Sequence, residues 1–219
     1  FQATPMVSMN NGCKIKFVDC NKNDLCISYE DLKKKIEIYS PKAIWVVHIG
    51  GHLSFEIDKI SKLCREKKII LIEDCAHAHG ASFNKKKPGS WGDAGIYSLY
   101  ATKTISTGEG GVLVSNNKDL IDFSKSFKNY GKPDNKIIGK NFRMSEFNAA
   151  LGCIQIDRLN DIVEWKNERV YKESKKFSNY LKLPDGMISG YYKFIVFDEI
   201  NNSTGKVYDI GCHKIFNEN

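Results

Sequence analysis

A carboxylate and an amine stand directly after two predicted strands. Asp74 follows the apolar run Ile69–Glu73, and Lys103 lies in the loop after the apolar run Ala94–Tyr100. Ligands of open parallel sheets bind at the carboxyl ends of the strands, because loops and helix N-termini converge there. We therefore expect both groups at one ligand site. The alternative is that Asp74 caps the next turn and Lys103 is solvated surface charge.

The residues around Lys103 indicate what that ligand is. Hydroxyl side chains at Ser98 and Thr102 precede it, and the glycine-rich run Gly108–Gly111 follows, which favours a phosphate cradle. A lysine, a carboxylate and hydroxyls at strand ends are what pyridoxal phosphate requires. The amine forms a Schiff base with the aldehyde, and the acid keeps the pyridine nitrogen protonated. The pattern predicts pyridoxal phosphate as the cofactor.

The composition excludes several other classes of protein. With 42% hydrophobic and 27% charged residues among 219, the chain is able to bury a core and is not of the disordered type. Its apolar runs, such as Ala43–Val47, are far shorter than the roughly 18–20 residues that span a bilayer. No signal peptide is visible at its start. We expect a cytoplasmic protein without a membrane segment.

The net charge of +7 comes mainly from lysine. Only four of the 33 basic residues are arginines, whereas a nucleic-acid surface favours the bidentate arginine fork. We therefore expect no nucleic-acid partner, and an attraction to anionic small molecules such as phosphates. Seven cysteines form neither a C-x-x-C pair nor a zinc-ligand spacing, which predicts free thiols in a reducing compartment and no metal site.

The elements that must position these groups alternate between strands and helices in the first half of the chain. The predicted strands are Lys14–Asp19, Ala43–His48 and Ile69–Glu73. A helix that Ser28 caps and Pro41 ends lies between the first two, and a helix over Phe55–Lys68 lies between the second and the third. The strands are almost continuously apolar, which is typical of a buried parallel sheet. The predicted fold class is α/β, with a mainly parallel sheet flanked by helices.

The second half of the chain predicts fewer strands and a long helix. Its predicted elements are short strands at Ala94–Tyr100 and Gly111–Ser115, a helix at Lys118–Tyr130, one long helix over Ser145–Glu168 and onward with an apolar stripe from Ala149 to Ile162, and a strand at Tyr191–Phe197. A long helix followed by a new strand suggests a second domain. We expect a large domain over residues 1–164 and the start of a small α/β domain over residues 165–219.

Several blocks of sequence, in the same order, resemble the sugar-nucleotide aminotransferases of the DegT/StrS group. They are Glu73–Ala81 (EDCAHAHGA), Gly92–Gly95 (GDAG), Ser98–Gly111 with its Thr-Lys pair and glycine run, Asn141–Gly152 (NFRMSEFNAALG), and a C-terminal block at Val207–Ile210 and Cys212–His213. The resemblance covers nearly the whole chain. It implies the fold type I of pyridoxal phosphate enzymes, like aspartate aminotransferase, working as a homodimer.

The resemblance also implies roles for five residues of this chain. Lys103 would bind the cofactor covalently, and Asp74 would pair with its pyridine nitrogen. His77 would lie near the ring hydroxyl, Ser98 would contact the phosphate, and Asn141 would reach the phosphate from the partner subunit. In the alternative reading, His77 is a core histidine, Ser98 a strand-end hydroxyl and Asn141 a plain loop residue.

Four further residues carry weaker signals. Arg143 pairs either with a ligand anion or in a structural salt bridge. His48, His79 and Glu109 lie in or near the motifs, and we assign them no catalytic role.

The reaction that the resemblance implies is transfer of an amino group from an amino acid, with glutamate as the expected donor, to a keto group of a nucleotide-linked sugar. Two alternatives stay open. Sugar dehydratases of the same family carry histidine in place of the lysine, so Lys103 argues against them. A non-catalytic regulatory or binding homologue would keep the fold without turnover, and the intact set of Asp74, Ser98 and Lys103 argues against it.

The two ends of the chain depart from the family's pattern. Family members have an N-terminal section that supplies part of the phosphate cradle and of the dimer surface, whereas this sequence starts at Phe1 without a methionine. Towards the other end, Gly211 replaces the usual proline. We therefore expect a fragment of an aminotransferase, whose activity in isolation is in question.

Overall fold

The computed structural model describes residues 1–198. Its elements, in chain order, are α1 (Ala3–Asn10), α2 (Tyr29–Tyr39), β1 (Ala43–Val47), α3 (Ile57–Lys67), β2 (Ile70–Asp74), β3 (Ser82–Phe83), β4 (Ala94–Ser98), β5 (Gly111–Val114), α4 (Lys118–Phe127), α5 (Glu146–Asp157), α6 (Leu159–Ser174) and β6 (Met187–Ile188). The predicted C-terminal block at residues 207–213 lies outside the described residues. Within residues 1–198, no helix combines the length and the hydrophobicity needed to cross a membrane.

A four-stranded sheet forms the centre of the fold, in the order β1-β2-β4-β5. β1 pairs in parallel with β2, and β2 with β4, while β5 runs antiparallel to β4. The predicted α/β fold with a mainly parallel sheet flanked by helices is confirmed. The loop that joins β4 to β5 contains no helix, so the chain returns beside β4 in the antiparallel direction and makes no helical crossover.

One face of the sheet is sealed by α2 and α3. As predicted, Ser28 begins α2, because its side chain accepts a hydrogen bond from the Asp31 amide. The core under the two helices is formed by buried apolar side chains from both of them and from β1 and β2: Leu32, Ile36, Ile44, Val46, Ile57, Ile60, Cys64 and Leu71. This packed face fixes the strands whose ends carry the predicted site.

The opposite face of the sheet is more open. The register pairs Ala43 with Ile70 and Asp74 with Ile96, and alternation along the strands therefore puts these residues and Ser98 on one face. Ile70 is 51% exposed and Ile96 is 37% exposed. The two polar site residues of the strands, Asp74 and Ser98, thus lie on the face that α2 and α3 do not cover.

The first predicted strand is wrong, since residues 14–19 are not a strand. The Asp19 amide donates to the Asp31 carboxylate, and the Asp19 carbonyl accepts from the Ser28 amide. These hydrogen bonds join the end of the segment to the start of α2. The segment belongs to neither sheet of residues 1–198, although its composition favours a strand.

The long helix predicted over Ser145–Glu168 is two helices in the structure. α5 ends and α6 begins at Arg158. The apolar pattern runs through this break without a proline or glycine to mark it, so periodicity alone misses it. The predicted apolar stripe is also largely unburied, with Ile154 at 59% and Ile156 at 56% exposure.

The strand predicted over Tyr191–Phe197 is wrong as well. Tyr191 has a φ of +42°, outside the strand region, and Val196 forms only an isolated bridge with Tyr180. The backbone of this segment bonds to a loop elsewhere, because the Lys193 amide donates to a carbonyl at Gly50. A short antiparallel pair, β3 with β6, was not predicted. The domain division after residue 164 lies within α6 and stays a prediction.

Candidate active site

Asp74 ends the central strand β2. Its Oδ2 accepts a hydrogen bond from Oγ1 of Thr4 on α1 at 2.7 Å, and its Oδ1 accepts from the Ala76 amide at 3.0 Å. The residue is half-buried, and both oxygens are held in place by donors. A carboxylate oxygen accepts more than one hydrogen bond, so Asp74 keeps capacity for a donor on a ligand.

Ser98 ends the neighbouring strand β4. Because Asp74 pairs with Ile96, Ser98 lies two residues further along the same face. Its Oγ accepts a hydrogen bond from the Tyr100 amide at 3.2 Å. The two polar residues that the sequence analysis placed at strand ends therefore lie at the same edge of the sheet.

Lys103 lies in the loop between β4 and β5, and this loop is stabilised by its own polar groups. The Lys103 amide donates to the Tyr100 carbonyl at 2.9 Å, and Oγ1 of Thr107 donates to the Glu109 carbonyl at 2.7 Å. A Cβ at Gly110, where φ is +148°, would come within 2.9 Å of the Thr107 hydroxyl oxygen. Only glycine fits there, which accounts for part of the glycine run seen in the sequence.

His77 joins these residues through the turn that follows Asp74. Its Nδ1 accepts a hydrogen bond from the Gly50 amide at 3.4 Å, so a neutral ring carries its proton on Nε2. Burial first, and then the positive charge of Lys103, lower the pKa of His77 to about 4, against the opposing negative charge of Asp74. The structure therefore brings Asp74, His77, Ser98 and Lys103 into one region.

Asn141 makes its described contacts with residues outside that group. It is exposed, forms an isolated β-bridge with Asn129, and accepts a hydrogen bond at Oδ1 from Nε of Arg143 at 3.1 Å. The guanidinium of Arg143 lies 5.4 Å from the ring centroid of Tyr130. Both residues are thus exposed and contact other surface residues.

His48 is fully buried beside the central sheet. Its Nε2 lies 2.9 Å from Oε2 of the buried Glu73, and its Nδ1 accepts from the Ser54 amide at 3.1 Å. Together with Cys75, these side chains place three potential metal ligands within 4.8 Å of one another. Burial raises the pKa of the Cys75 thiol, which keeps it protonated, and the Glu73 oxygens accept from backbone amides. The cluster is therefore a buried hydrogen-bond network that supports the fold.

His79 is also a core residue. It is 2% exposed and packs beside the ring of Tyr97, with centroids 5.3 Å apart. Burial lowers the pKa of His79 to about 4, so the ring is neutral at physiological pH. Glu109 contributes its backbone carbonyl to the Lys103 loop. Neither residue acquires a catalytic role from its position.

Two residues at this site escaped the sequence analysis. Thr4 donates to Asp74 from α1, and Tyr192 stacks on the ring of His77. They lie in segments that the chain path brings in from far away, and neither stands in a distinctive motif. The sequence signal that could have located Tyr192 is the pair Gly50-Gly51, because adjacent glycines mark a place where another backbone segment approaches closely.

Solved structures define the class of protein to which this fold belongs. Helicobacter pylori PseC, an aminotransferase involved in the biosynthesis of pseudoaminic acid, matches with a TM-score of 0.82 and 30% identity, covering 89% of this chain and 55% of that chain. A DegT DnrJ EryC1 StrS aminotransferase from Brucella abortus matches with a TM-score of 0.80 and 26% identity, covering 89% and 56%. The chain therefore has fold type I, the fold of aminotransferases of the pyridoxal-phosphate-dependent type.

Sequence comparisons give the family. Residues 1–182 match the DegT/DnrJ/EryC1/StrS aminotransferase family, and the chain belongs to it, which confirms the predicted resemblance. The GDP-perosamine synthase of Vibrio cholerae is 38% identical over 157 residues, 69% of this chain and 42% of that protein. The UDP-4-amino-4,6-dideoxy-N-acetyl-beta-L-altrosamine transaminase of Campylobacter jejuni is 33% identical over 219 residues, 96% of this chain and 55% of that protein. The chain spans about half the length of the curated relatives it matches.

Proposed function

We propose that the complete protein is a pyridoxal-phosphate-dependent aminotransferase that moves an amino group from an amino acid, with glutamate as the expected donor, to a keto group of a nucleotide-linked sugar. The observation that carries this proposal is the meeting of a half-buried carboxylate, a neutral histidine and a lysine at the carboxyl ends of the strands: Asp74, His77 and Lys103. The names of the family's sugar-modifying relatives support the substrate class.

The side chains at this site fit pyridoxal phosphate chemically. Asp74 offers an acceptor to a protonated pyridine nitrogen, and Thr4 and Ala76 hold that acceptor in place. Neutral His77 offers its Nε2–H to the oxygen on the ring, since its Nδ1 already accepts from the backbone. The hydroxyl of Ser98 offers a hydrogen bond to a phosphate oxygen.

In this proposal Lys103 binds the cofactor and moves the proton. When bound, the cofactor supplies an aldehyde for the amine and a ring that accepts electrons from the amino donor. The Nζ of Lys103 would act as the general base that takes the proton from the α-carbon of the amino donor, and then as the general acid that gives it back. Asp74 holds the proton on the ring nitrogen and so stabilises the charge that develops there. The net charge of +7 suits a diphosphate-containing substrate.

We also propose that a second copy of the chain completes the site. Asn141 is exposed, which is consistent with an amide that reaches a phosphate in the other subunit of a homodimer. The proposed location is the cytoplasm. The cysteines of the described residues are free thiols, which supports a reducing compartment.

Lys103→Ala in the complete protein tests this function, with Lys118→Ala as the control because Lys118 is 86% exposed on α4. Borohydride reduction followed by peptide mass spectrometry is expected to place the cofactor on Lys103 in the parent and in the control. The half-reaction with glutamate is expected to vanish in Lys103→Ala only. A cofactor adduct on another lysine overturns the assignment. A reduced adduct at Lys103 with neither the half-reaction nor amino transfer to any nucleotide keto-sugar indicates the non-catalytic binding homologue.

A further inference from the structure

A tyrosine from late in the described chain covers one side of the site. The ring of Tyr192 stacks on the ring of His77, with centroids 4.2 Å apart and 28° between the planes. The amine of Lys103 lies 4.8 Å from the centroid of the Tyr192 ring. The Tyr192 hydroxyl lies 3.1 Å from Oγ1 of Thr102, within hydrogen-bond distance. One side chain thus contacts three residues of the Lys103 region.

Two buried glycines hold the backbone of this tyrosine in place. The Gly190 amide donates to the Gly51 carbonyl, and the Lys193 amide donates to the Gly50 carbonyl, both at 2.8 Å. A Cβ at Gly51 would come within 2.5 Å of the Tyr192 amide nitrogen, and its φ of +117° already disfavours other residues. The segment around Tyr192 therefore packs directly on the backbone of Gly50 and Gly51.

We propose that Tyr192 is a positioning residue for Lys103 and that it shields His77 from water. This inference rests on the proposed function, because Lys103 is the amine proposed to react. A protonated amine is attracted to the face of an aromatic ring, so the ring restricts where the Lys103 amine lies. By covering His77, the ring keeps the imidazole neutral and able to donate from Nε2.

The test compares ring removal with ring retention in the complete protein, freed of cofactor. Tyr192→Met keeps an apolar side chain without the ring, and Tyr192→Phe keeps the ring without the hydroxyl. Tyr171→Met is the matched control, since Tyr171 is 68% exposed and pairs with the amine of Lys175 at 4.7 Å on the surface of α6. Neither readout below requires turnover.

The first readout is the rate at which each lysine is acetylated, followed by peptide mass spectrometry. Tyr192→Met is expected to raise the rate at Lys103 relative to Lys118 about two- to fivefold, the range that loss of an amine–ring contact gives. Tyr192→Phe and Tyr171→Met are expected to leave this ratio at the parent value. An equal rise at all lysines, which a merely loosened fold would give, overturns the proposal.

The second readout is the titration of the His77 ring by NMR. Burial is the main cause that lowers the pKa of His77 to about 4, so Tyr192→Met is expected to raise this pKa toward its ordinary value. The charged side chains that act on it remain present in the variant: Lys103, Asp74 and Lys193. Tyr192→Phe is expected to keep the parent titration.

Unchanged labelling of Lys103 and unchanged titration of His77 in Tyr192→Met overturn the inference. If that variant does not fold, Tyr192→Gln repeats both measurements with the same expected outcomes, because the position is only half-buried. Failure of the proposed function is separate: a protein that takes up no cofactor at Lys103 overturns both ideas, whereas one that takes it up normally without either Tyr192 response overturns only this one.

Discussion

At the scale of single residues, neighbours on β2 serve opposite faces of the sheet. Asp74 lies on the open face, where Thr4 donates to it, whereas Glu73 is fully buried and accepts from His48 and from the backbone amides of the loop before β4. Burial by itself would raise the pKa of Glu73, but these donors hold it below its ordinary value. One carboxylate is thus engaged in structure, and the next remains available to a ligand.

Asp74→Asn is expected to slow amino transfer in the complete protein by a factor of tens to thousands. The variant keeps the shape of the side chain but removes the charge that holds a proton on the ring nitrogen. Losing one partner of a desolvated charge pair costs roughly 2–5 kcal/mol. Single-turnover kinetics with glutamate measures the effect, with the exposed Asp58→Asn on α3 as the control. Near-parent rates in Asp74→Asn would assign the electron-accepting role elsewhere.

The residues of the site that the sequence could reveal are those next to strand ends. Asp74 and Lys103 follow apolar runs and Ser98 lies near the end of one, and the convergence of strand ends is a general property of parallel sheets, so their meeting was predictable. Thr4 and Tyr192 were not, because each approaches through tertiary packing of a distant segment. A single hydroxyl or phenol carries no spacing signal of its own.

At the scale of elements, α2 shows how a local signal and tertiary packing agree. Ser28 caps the helix, and Leu32 and Ile36 bury its apolar face in the core. α5 and α6 show the opposite case, since the break at Arg158 has no local marker. The segment after Tyr191 has strand-like composition, yet it bonds to the Gly50 loop and not to a sheet. Composition predicts an element only where the partner it needs is also present.

Ser28→Ala is expected to lower the free energy of unfolding by about 1 kcal/mol, because it removes the acceptor of the Asp31 amide at the start of a helix that packs on the core. Asn117→Ala is the matched control. Asn117 caps α4 in the same way, through the Leu120 amide, but α4 has no buried residue. Its loss should fray one surface helix with little effect on global unfolding. Urea denaturation measures both, and equal losses would contradict this account.

At the scale of the whole molecule, the open face of the sheet dominates the behaviour of the isolated chain. Exposed apolar side chains such as Ile70 and Ile96 lie on it, beside the carboxylate of Asp74. Contiguous apolar surface promotes association. An isolated chain of 219 residues is therefore expected to self-associate and to bind pyridoxal phosphate weakly.

Ile70→Lys tests that expectation by placing a charge on the open face, where it should reduce association of the isolated chain. Ile38→Lys is the control, because Ile38 is 67% exposed on α2, away from this face. Sedimentation velocity, combined with a cofactor titration, measures the outcome. A clean dimer of the parent chain that binds the cofactor at micromolar concentration would contradict the expectation.

The docking of Gly190 on Gly51 also has a consequence for the order of events during synthesis. Strands β1, β2 and β4 emerge from the ribosome early, so the carboxylate and the lysine can take their places while translation continues. Tyr192 follows Gly51 only after a delay on the order of ten seconds at usual elongation rates. Contacts of such long sequence separation form late, because the closure of a long loop is entropically costly. The nascent chain therefore holds an uncovered Lys103 until its last described segment arrives.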